Sequence, residues 1–359
     1  MIYKDNWEET KKRYRAFWDR ELDTPIIQVK APGKGFTGNA TWSWAGCEMF
    51  SFKDNPEKAI EKFEQYCKET YFGGDAFPNM CINMGPAGLS AYAGAEPRLI
   101  GDTVWLETPM GWDRLENIEI DPERNKWRQL TKKLTGIMAE AGRDKFMVGM
   151  PDFGGILDII SALRGSQNLL MDLSDCPEKV TKLSSIISGL WLECYNELDE
   201  IIRKKMCGSS AWMGLWSPEK WYPIECDFSA MISPKMFEDI AAPFIAGQCR
   251  YLDHTIYHLD GPGEIPHLDT LLDINELDGI QWVPVPGVGN QQIDSPVWIP
   301  MYKKIQAAGK LLVLNWVPPK SVRFLLEELS PKNLCIHVND CGSREEADAL
   351  LKEAENIAV

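Results

Sequence analysis

Short apolar, strand-like runs alternate with longer amphipathic helical stretches along nearly the whole chain, and this alternation restricts the fold more than any other feature. Strand readings fall on Pro25–Lys30, Asp75–Asn83, Phe146–Met150, Ser209–Leu215, Thr255–Leu259, Gly279–Val283, Lys310–Trp316 and Leu334–Val338. Between them lie helix readings over Pro56–Thr70 (capped by Asp54 or Asn55), Pro122–Arg143, the run from Gly155 to Leu163, and Pro177–Lys204. Further helices start at Pro234, with Ser233 as N-cap, and cover Val297–Ala308, Pro319–Leu329 and Arg344–Ala358. Thr103 to Ile120 reads as a small antiparallel insert, and the stretch from Leu215 to Pro234 as a Trp-rich loop. A charged amphipathic helix, Trp7–Arg20, precedes the first strand. Eight strands, most followed by a helix, imply a closed parallel barrel in the α/β class. The expectation is a single (β/α)8 TIM barrel domain over residues 1–359, with 1–24 as an N-terminal helical cap.

The charge pattern narrows the partners. A net charge of −15 is spread along the chain, which disfavours nucleic acid and anionic membranes, because both require basic patches. No apolar run has the length of a membrane span, and the first residues lack a signal peptide's apolar segment. The expected location is the cytoplasm. The ten cysteines are scattered without a CxxC pair, so free thiols are expected, with one or two as ligands.

The chemistry concentrates in Tyr257-His258-Leu259-Asp260-Gly261-Pro262-Gly263-Glu264-Ile265-Pro266-His267. An apolar run ending in His-x-Asp and broken by Gly-Pro-Gly reads as a strand that stops at a turn. Period-2 geometry puts His258 and Asp260 on one face at the strand's open end, where barrels keep their chemistry. The polar residues at the other strand ends are Lys30, Asp75, Asn83, Asp152, Glu225-Cys226-Asp227, Gln281, Asn315, Asn339, Asp340 and Cys341. Imidazole of His258, carboxylate of Asp260 and thiolate of Cys341 could together hold zinc with one position open, the composition of a catalytic site. Two local alternatives exist: Glu264-x-x-His267, and Cys226 in place of Cys341. His337, inside the last strand, reads as a core or supporting histidine. No Walker loop or GxSxG motif is present, and Gly33-Lys34-Gly35 after the first strand is too short a signal for a phosphate cradle.

Fourteen tryptophans are many for such a chain. Trp18, Trp127 and Trp191 fit helix faces. Trp42, Trp44, Trp105, Trp112, Trp212, Trp216, Trp221, Trp282 and Trp316 follow strand-like runs. Of these, Trp105, Trp212, Trp216, Trp282 and Trp316 are the expected walls of a substrate pocket.

Taken together, Gly85-Pro86-Ala87-Gly88, Asp102-Thr103-Val104-Trp105, Ser233-Pro234, Tyr257-His258-Leu259-Asp260-Gly261 and Asp340-Cys341-Gly342 occur in an order that resembles the uroporphyrinogen decarboxylase superfamily, in its methyltransferase-like branch. The resemblance spans the whole chain. It implies a (β/α)8 barrel with its site at the C-terminal mouth. Members that move methyl groups to or from corrinoid proteins hold zinc with a His-x-Cys pair and a late cysteine. His258 matches the histidine and Cys341 the late cysteine, whereas Asp260 stands where that pattern has cysteine. The Arg-rich N-terminal motif that grips a tetrapyrrole is missing, and Gln28-Val29-Lys30-Ala31-Pro32-Gly33 occupies its place. Porphyrinogen decarboxylation is therefore not expected.

The resulting expectation is a zinc-dependent methyltransferase. It would move a methyl group from a small donor, an aromatic methyl ether or a methylamine, to cobalamin carried by a corrinoid protein. Transfer from the corrinoid to a thiol or folate is the close variant, and a homodimer is compatible with either. The competing expectation is a metal-independent decarboxylase or other lyase of a small carboxylic acid, with Asp75 or Asp260 binding or protonating the substrate. A non-catalytic barrel that binds a small ligand is the third.

Overall fold

A computed structural model describes residues 1–39, 41–42, 47–82, 84–101, 103–118, 121–284 and 292–357. Trp44, Asn83 and Asp102 fall outside these residues. In chain order the strands are β1 (Ile26–Pro32), β2 (Thr70–Gly74), β3 (Asn79–Cys81), β4 (Arg98–Ile100), β5 (Thr103–Trp105), β6 (Met147–Gly149) and β7 (Ser209–Ser210). Then follow β8 (Trp216–Ser217), β9 (Trp221–Glu225), β10 (His254–Asp260), β11 (Gly279–Val283), β12 (Leu311–Val317) and β13 (Leu334–Val338).

Parallel pairing links β9, β10, β11, β12, β13 and β1 in one arc. β3 and β6 make a shorter parallel arc, extended by a parallel bridge from Met150 to Ala211. Helices follow most of these strands, so the chain is a mixed α/β protein built around a large parallel sheet. The sixth and eighth strands lie where the sequence places them, and the first, third, fifth and seventh differ by a few residues at their ends. An antiparallel hairpin, β4–β5, is present but lies mostly ahead of the insert read over Thr103–Ile120, sharing only Thr103–Trp105 with it, and Trp112–Leu115 is a short helix. Ser233 caps the helix at Pro234 through a bond from the Met236 N–H to its hydroxyl at 3.2 Å. Asn55 occupies the N-cap of Pro56–Glu69 without a side-chain cap bond.

Four parts differ from the reading, one of them the fourth strand, which covers only Ser209–Ser210 of the expected Ser209–Leu215. β2 is an antiparallel edge strand on β1; only its first residue, Thr70, falls in a helix reading, and 71–74 fall in none. The second strand shortens to β3. β9 forms inside the supposed loop. Pro223 in its middle argues against a strand, but β9 is the edge of its sheet, where a missing N–H goes unnoticed.

The helix Trp7–Trp18 buries Trp7, Thr10, Tyr14, Phe17 and Trp18. Trp18 stacks on His254 at the start of β10, with ring centroids 4.6 Å apart, and donates to Trp216 O at 2.8 Å. This helix therefore covers the N-terminal ends of the strands and leaves their C-terminal ends open. None of the described helices is long and apolar enough to cross a membrane.

Candidate functional site

A cavity of about 1570 Å³ opens over the C-terminal ends of the parallel strands. Lys30 of β1, Asp152 after β6, Glu225 of β9, His258 and Asp260 of β10, Gln281 of β11, Asn315 of β12, and Asn339 and Asp340 after β13 all reach its wall. All of these were singled out as strand-end residues from sequence.

β10 follows the expected alternation. His258 and Asp260 face the cavity, and Tyr257 and Leu259 are buried on the other side. The strand breaks at Gly261, whose φ of +90° suits glycine and whose N–H bonds Val283 O at 2.9 Å. Glu225, His258 and Gln281 stand side by side in register on β9, β10 and β11. Gly155 lets the segment after β6 pack against this row, since a Cβ there would meet Glu225 O at 2.1 Å.

Ligand atoms of Asp227, His258 and Asp260 all lie within 4.8 Å of one another. The Nδ1 of His258 makes a short hydrogen bond with the side-chain oxygen of Gln281. That oxygen accepts, so Nδ1 carries the proton and Nε2 keeps its lone pair. Trp212 meets the imidazole edge-on, with centroids 5.3 Å apart and planes at 88°. Asp158 fixes Asp227 from below by accepting the backbone N–H groups of Phe228 at 2.7 Å and Asp227 at 3.1 Å. One imidazole nitrogen and two carboxylates, oriented by partners behind them, suit a divalent cation with nitrogen and oxygen ligands.

Cys341 is not in this group. It is buried, its N–H bonds Lys30 O at 2.8 Å, and burial raises its thiol to about 11, so it stays protonated at neutral pH. It follows β13, three strands from β10, or roughly 14 Å along the arc at the usual spacing. Asp227 stands where the sequence reading placed the thiolate. The local alternatives are also used elsewhere. Cys226 is fully enclosed, and burial raises its thiol far above the usual range. Glu264 is buried and accepts from Tyr257 Oη at 3.1 Å. His267 stacks on Phe237 at 4.3 Å and bonds Ser229 O at 2.9 Å.

Asp75 lies at the opposite end of the strands. Arg13 grips it at 2.7 and 3.1 Å and the Ile27 N–H at 3.0 Å, so its carboxylate is occupied by the fold. Of the five tryptophans, Trp212 and Trp316 line the cavity. Trp282 alternates away from Gln281 and packs on Trp298 with centroids 4.9 Å apart. Trp216 is buried under Trp7. Trp105 is half exposed on the β4–β5 hairpin and lies outside the lining. Trp42, also named from sequence, does line it. His337 is half-buried and lines the cavity, is kept neutral because desolvation and then Lys30 lower it to about 3, and accepts from Gln28 Nε2 at 3.0 Å.

The acidic wall carries unusual protonation. Asp152 and Glu225 share a hydrogen bond, and burial raises both, Glu225 most, so the pair keeps a proton on Glu225. Asp227 is solvent-exposed at the rim of the wall, and desolvation and then the neighbouring Asp260 and Asp152 push its carboxyl upward. Burial and then Asp227 push Asp158 to about 7. The folded chain thus binds more protons here than the unfolded chain. This penalty is absent below the ordinary carboxyl value of about 4 and complete above about 7. Calorimetry on chelator-treated protein should therefore show a melting temperature that falls between pH 5 and 8. Zinc should restore it more at pH 8 than at pH 5, and a rising or flat profile would count against the cluster.

No protein family and no curated sequence match the chain. In three dimensions it is similar to a methyltransferase from Methanosarcina mazei, with a TM-score of 0.63, 12% sequence identity, and coverage of 98% of this chain and 99% of that one. At that identity the likeness shows a shared fold, and it runs end to end.

Proposed function

We propose that the chain is a methyltransferase, one (β/α)8 barrel that moves a methyl group from a small methylated donor to a corrinoid carried by a partner protein in the cytoplasm. The observation that carries this reading is the grouping of Asp227, His258 and Asp260 at the wide mouth of a fold shared with a methyltransferase. These three side chains would hold zinc, with Asp227 in the position first given to Cys341. Zinc bound there would supply Lewis acidity toward an ether oxygen, or toward the lone pair that develops on a departing nitrogen as its C–N bond breaks.

The chain's own residues orient and shield. Gln281 fixes the His258 tautomer, and Asp158 holds the turn that presents Asp227. Trp212 and Trp316 wall the donor on the strand-end side. In-line methyl transfer needs the leaving heteroatom held on one side and free space on the other. A cavity of about 1570 Å³ leaves that space for a docked corrinoid. Transfer in the reverse direction, to a thiol or folate, would use the same geometry.

The test is methyl transfer to free reduced cobalamin, followed by its absorbance, with zinc-loaded protein and panels of methyl ethers and methylamines. Enzyme-dependent methylcobalamin from at least one donor is expected. The proton-holding Asp152–Glu225 pair favours the second reading, a metal-independent lyase of a small carboxylic acid. Decarboxylation by chelator-treated protein, without methyl transfer from any donor, would establish that reading instead.

A further inference from the structure

We infer that the methyl donor is a cation, a small N-methylated ammonium ion bearing at least one N–H, and not a methyl ether. This rests on the methyl-transfer reading above but not on the identity of the metal.

The first support is charge. Among the described residues of the cavity wall, the lysines are Lys30 and Lys62, and each is already in an ion pair. Lys30 pairs with Asp340 at 3.5 Å and Lys62 with Glu48 at 3.6 Å. Asp152, Glu225, Asp227 and Asp260 face the same space, and among the described residues no salt bridge links any of them to a lysine or arginine. A divalent ion on Asp227, His258 and Asp260 would offset two of these carboxylates, and the Asp152–Glu225 pair, which shares one proton, would keep one negative charge at the wall. An anionic or electron-rich donor is disfavoured there, and a cation is favoured.

The second support is an unpaired acceptor. The register between β12 and β13 slips between Leu314 and Val317, and Trp316 takes a φ of +57°. In a regular strand Asn315 and Trp316 would face opposite sides, but with this irregularity both line the cavity. A non-glycine residue in the left-handed region is a strained choice, and such strain gathers at ligand sites. What it achieves here is one more acceptor and one more aromatic wall. Asn315 is 8% exposed, and its Oδ1 is buried without any partner. A buried amide oxygen calls for a donor. An ammonium N–H supplies one; an ether oxygen cannot. Trp212 and Trp316 add ring surfaces suited to an N-methyl cation. The buried Gln281 Nε2 is also unpaired, and an oxygen elsewhere on the donor or a water molecule would serve it.

The chemistry balances without a proton donor. The C–N bond of the methylammonium breaks with both electrons going to nitrogen. The methyl carbon takes the electron pair of a reduced, cob(I)-type corrinoid, forming the C–Co bond. The products are the neutral amine and the methylated corrinoid, and the positive charge leaves with the methyl group. A methyl ether would instead release an alkoxide, which needs a proton or a metal to stabilise it.

The experiment compares N-methylbenzylammonium with benzyl methyl ether, which share shape and differ in charge and N–H. Calorimetric titration of the full chain, zinc-loaded and chelator-treated, should show the cation binding at least about tenfold tighter in both states. Asn315→Leu should weaken the cation by about tenfold and leave the ether, and N,N,N-trimethylbenzylammonium, which has no N–H, unchanged. Asp152→Asn should weaken both cations, and thermal melts will confirm that each variant is folded. Equal or tighter binding of the ether, or an Asn315→Leu variant with unaltered cation affinity, overturns the inference. Methyl transfer to free cobalamin is run in parallel. Ether turnover without cation preference overturns this inference alone, whereas cation binding without methyl transfer overturns the methyltransferase reading and leaves the cation site standing.

Discussion

His258→Ala is expected to abolish metal retention and to lower methyl transfer by about 10³-fold, because a bound Lewis acid supplies several kcal/mol of transition-state stabilisation. The fold should barely notice. The imidazole is half-buried at the cavity wall, and its fixed contacts are the bond to Gln281 and the edge of Trp212. Losing the bond leaves the buried side-chain oxygen of Gln281 without its donor, a cost of about 1–3 kcal/mol, so the melting temperature should fall by only about 1–4 °C. Gln281→Leu provides a graded control. It leaves the ring but releases its tautomer, and supporting partners of this kind are worth about 10–100-fold in metal affinity. Elemental analysis and chelator competition measure both variants. Stoichiometric zinc in His258→Ala would show that the three ligand atoms do not form the site.

The candidate site was legible in part because strand ends are marked by residue type. His258 and Asp260 are two apart before Gly-Pro-Gly, so their shared face follows from strand geometry. Asp227 was among the strand-end residues, but the strand that delivers it was not recognised. β9 reads Trp-Tyr-Pro-Ile-Glu, and a proline inside a run normally argues against a strand. The cue that could have rescued it is that an edge strand tolerates proline. Cys341 attracted notice because thiolates bind zinc. Its burial and its place three strands from His258 are properties of the pairing order, which composition does not encode. The tryptophans show the same limit. Trp282 sits next to Gln281, and alternation alone would have turned it away from the cavity once Gln281 was placed inside. Trp316 is the reverse case, since the β12 irregularity turns it inward against the simple alternation. β2 was missed because Gly73 and Gly74 end a segment that continues directly from a helix, and no periodicity separates the two.

The fold and the site also part company at Asp75, where the largest stability effect is expected. Asp75→Ala should destabilise the chain by about 3–5 kcal/mol, the usual cost of leaving a buried charge without its partner. Arg13 reaches the carboxylate through Nε at 2.7 Å and Nη2 at 3.1 Å, and the Ile27 N–H adds a third bond at 3.0 Å. The carboxylate side chain is only 5% exposed, and that of Arg13 is 29% exposed, so solvent offsets part of the loss on the arginine. Lys4 suffers as well. Its ammonium is buried against Phe72 O at 2.9 Å and Gly74 O at 2.6 Å, and burial lowers it to about 8 while Asp75 pulls the other way. Without Asp75, both cations at the joint of β1, β2 and the N-terminal helix lose their main counter-charge and keep only the more distant Asp5 and Glu9. At the entropy of unfolding usual for a chain of this length, the change corresponds to a fall of about 5 °C in melting temperature. The measurement is a denaturant titration of Asp75→Ala, Arg13→Met and the double variant. The double variant should be more stable than the sum of the single losses implies, because it removes the stranded charge. Turnover per folded molecule should stay within about threefold of the parent, since Asp75 lies at the far end of the strands from His258. If turnover collapses while stability holds, Asp75 takes part in the chemistry, and the lyase reading gains its acid.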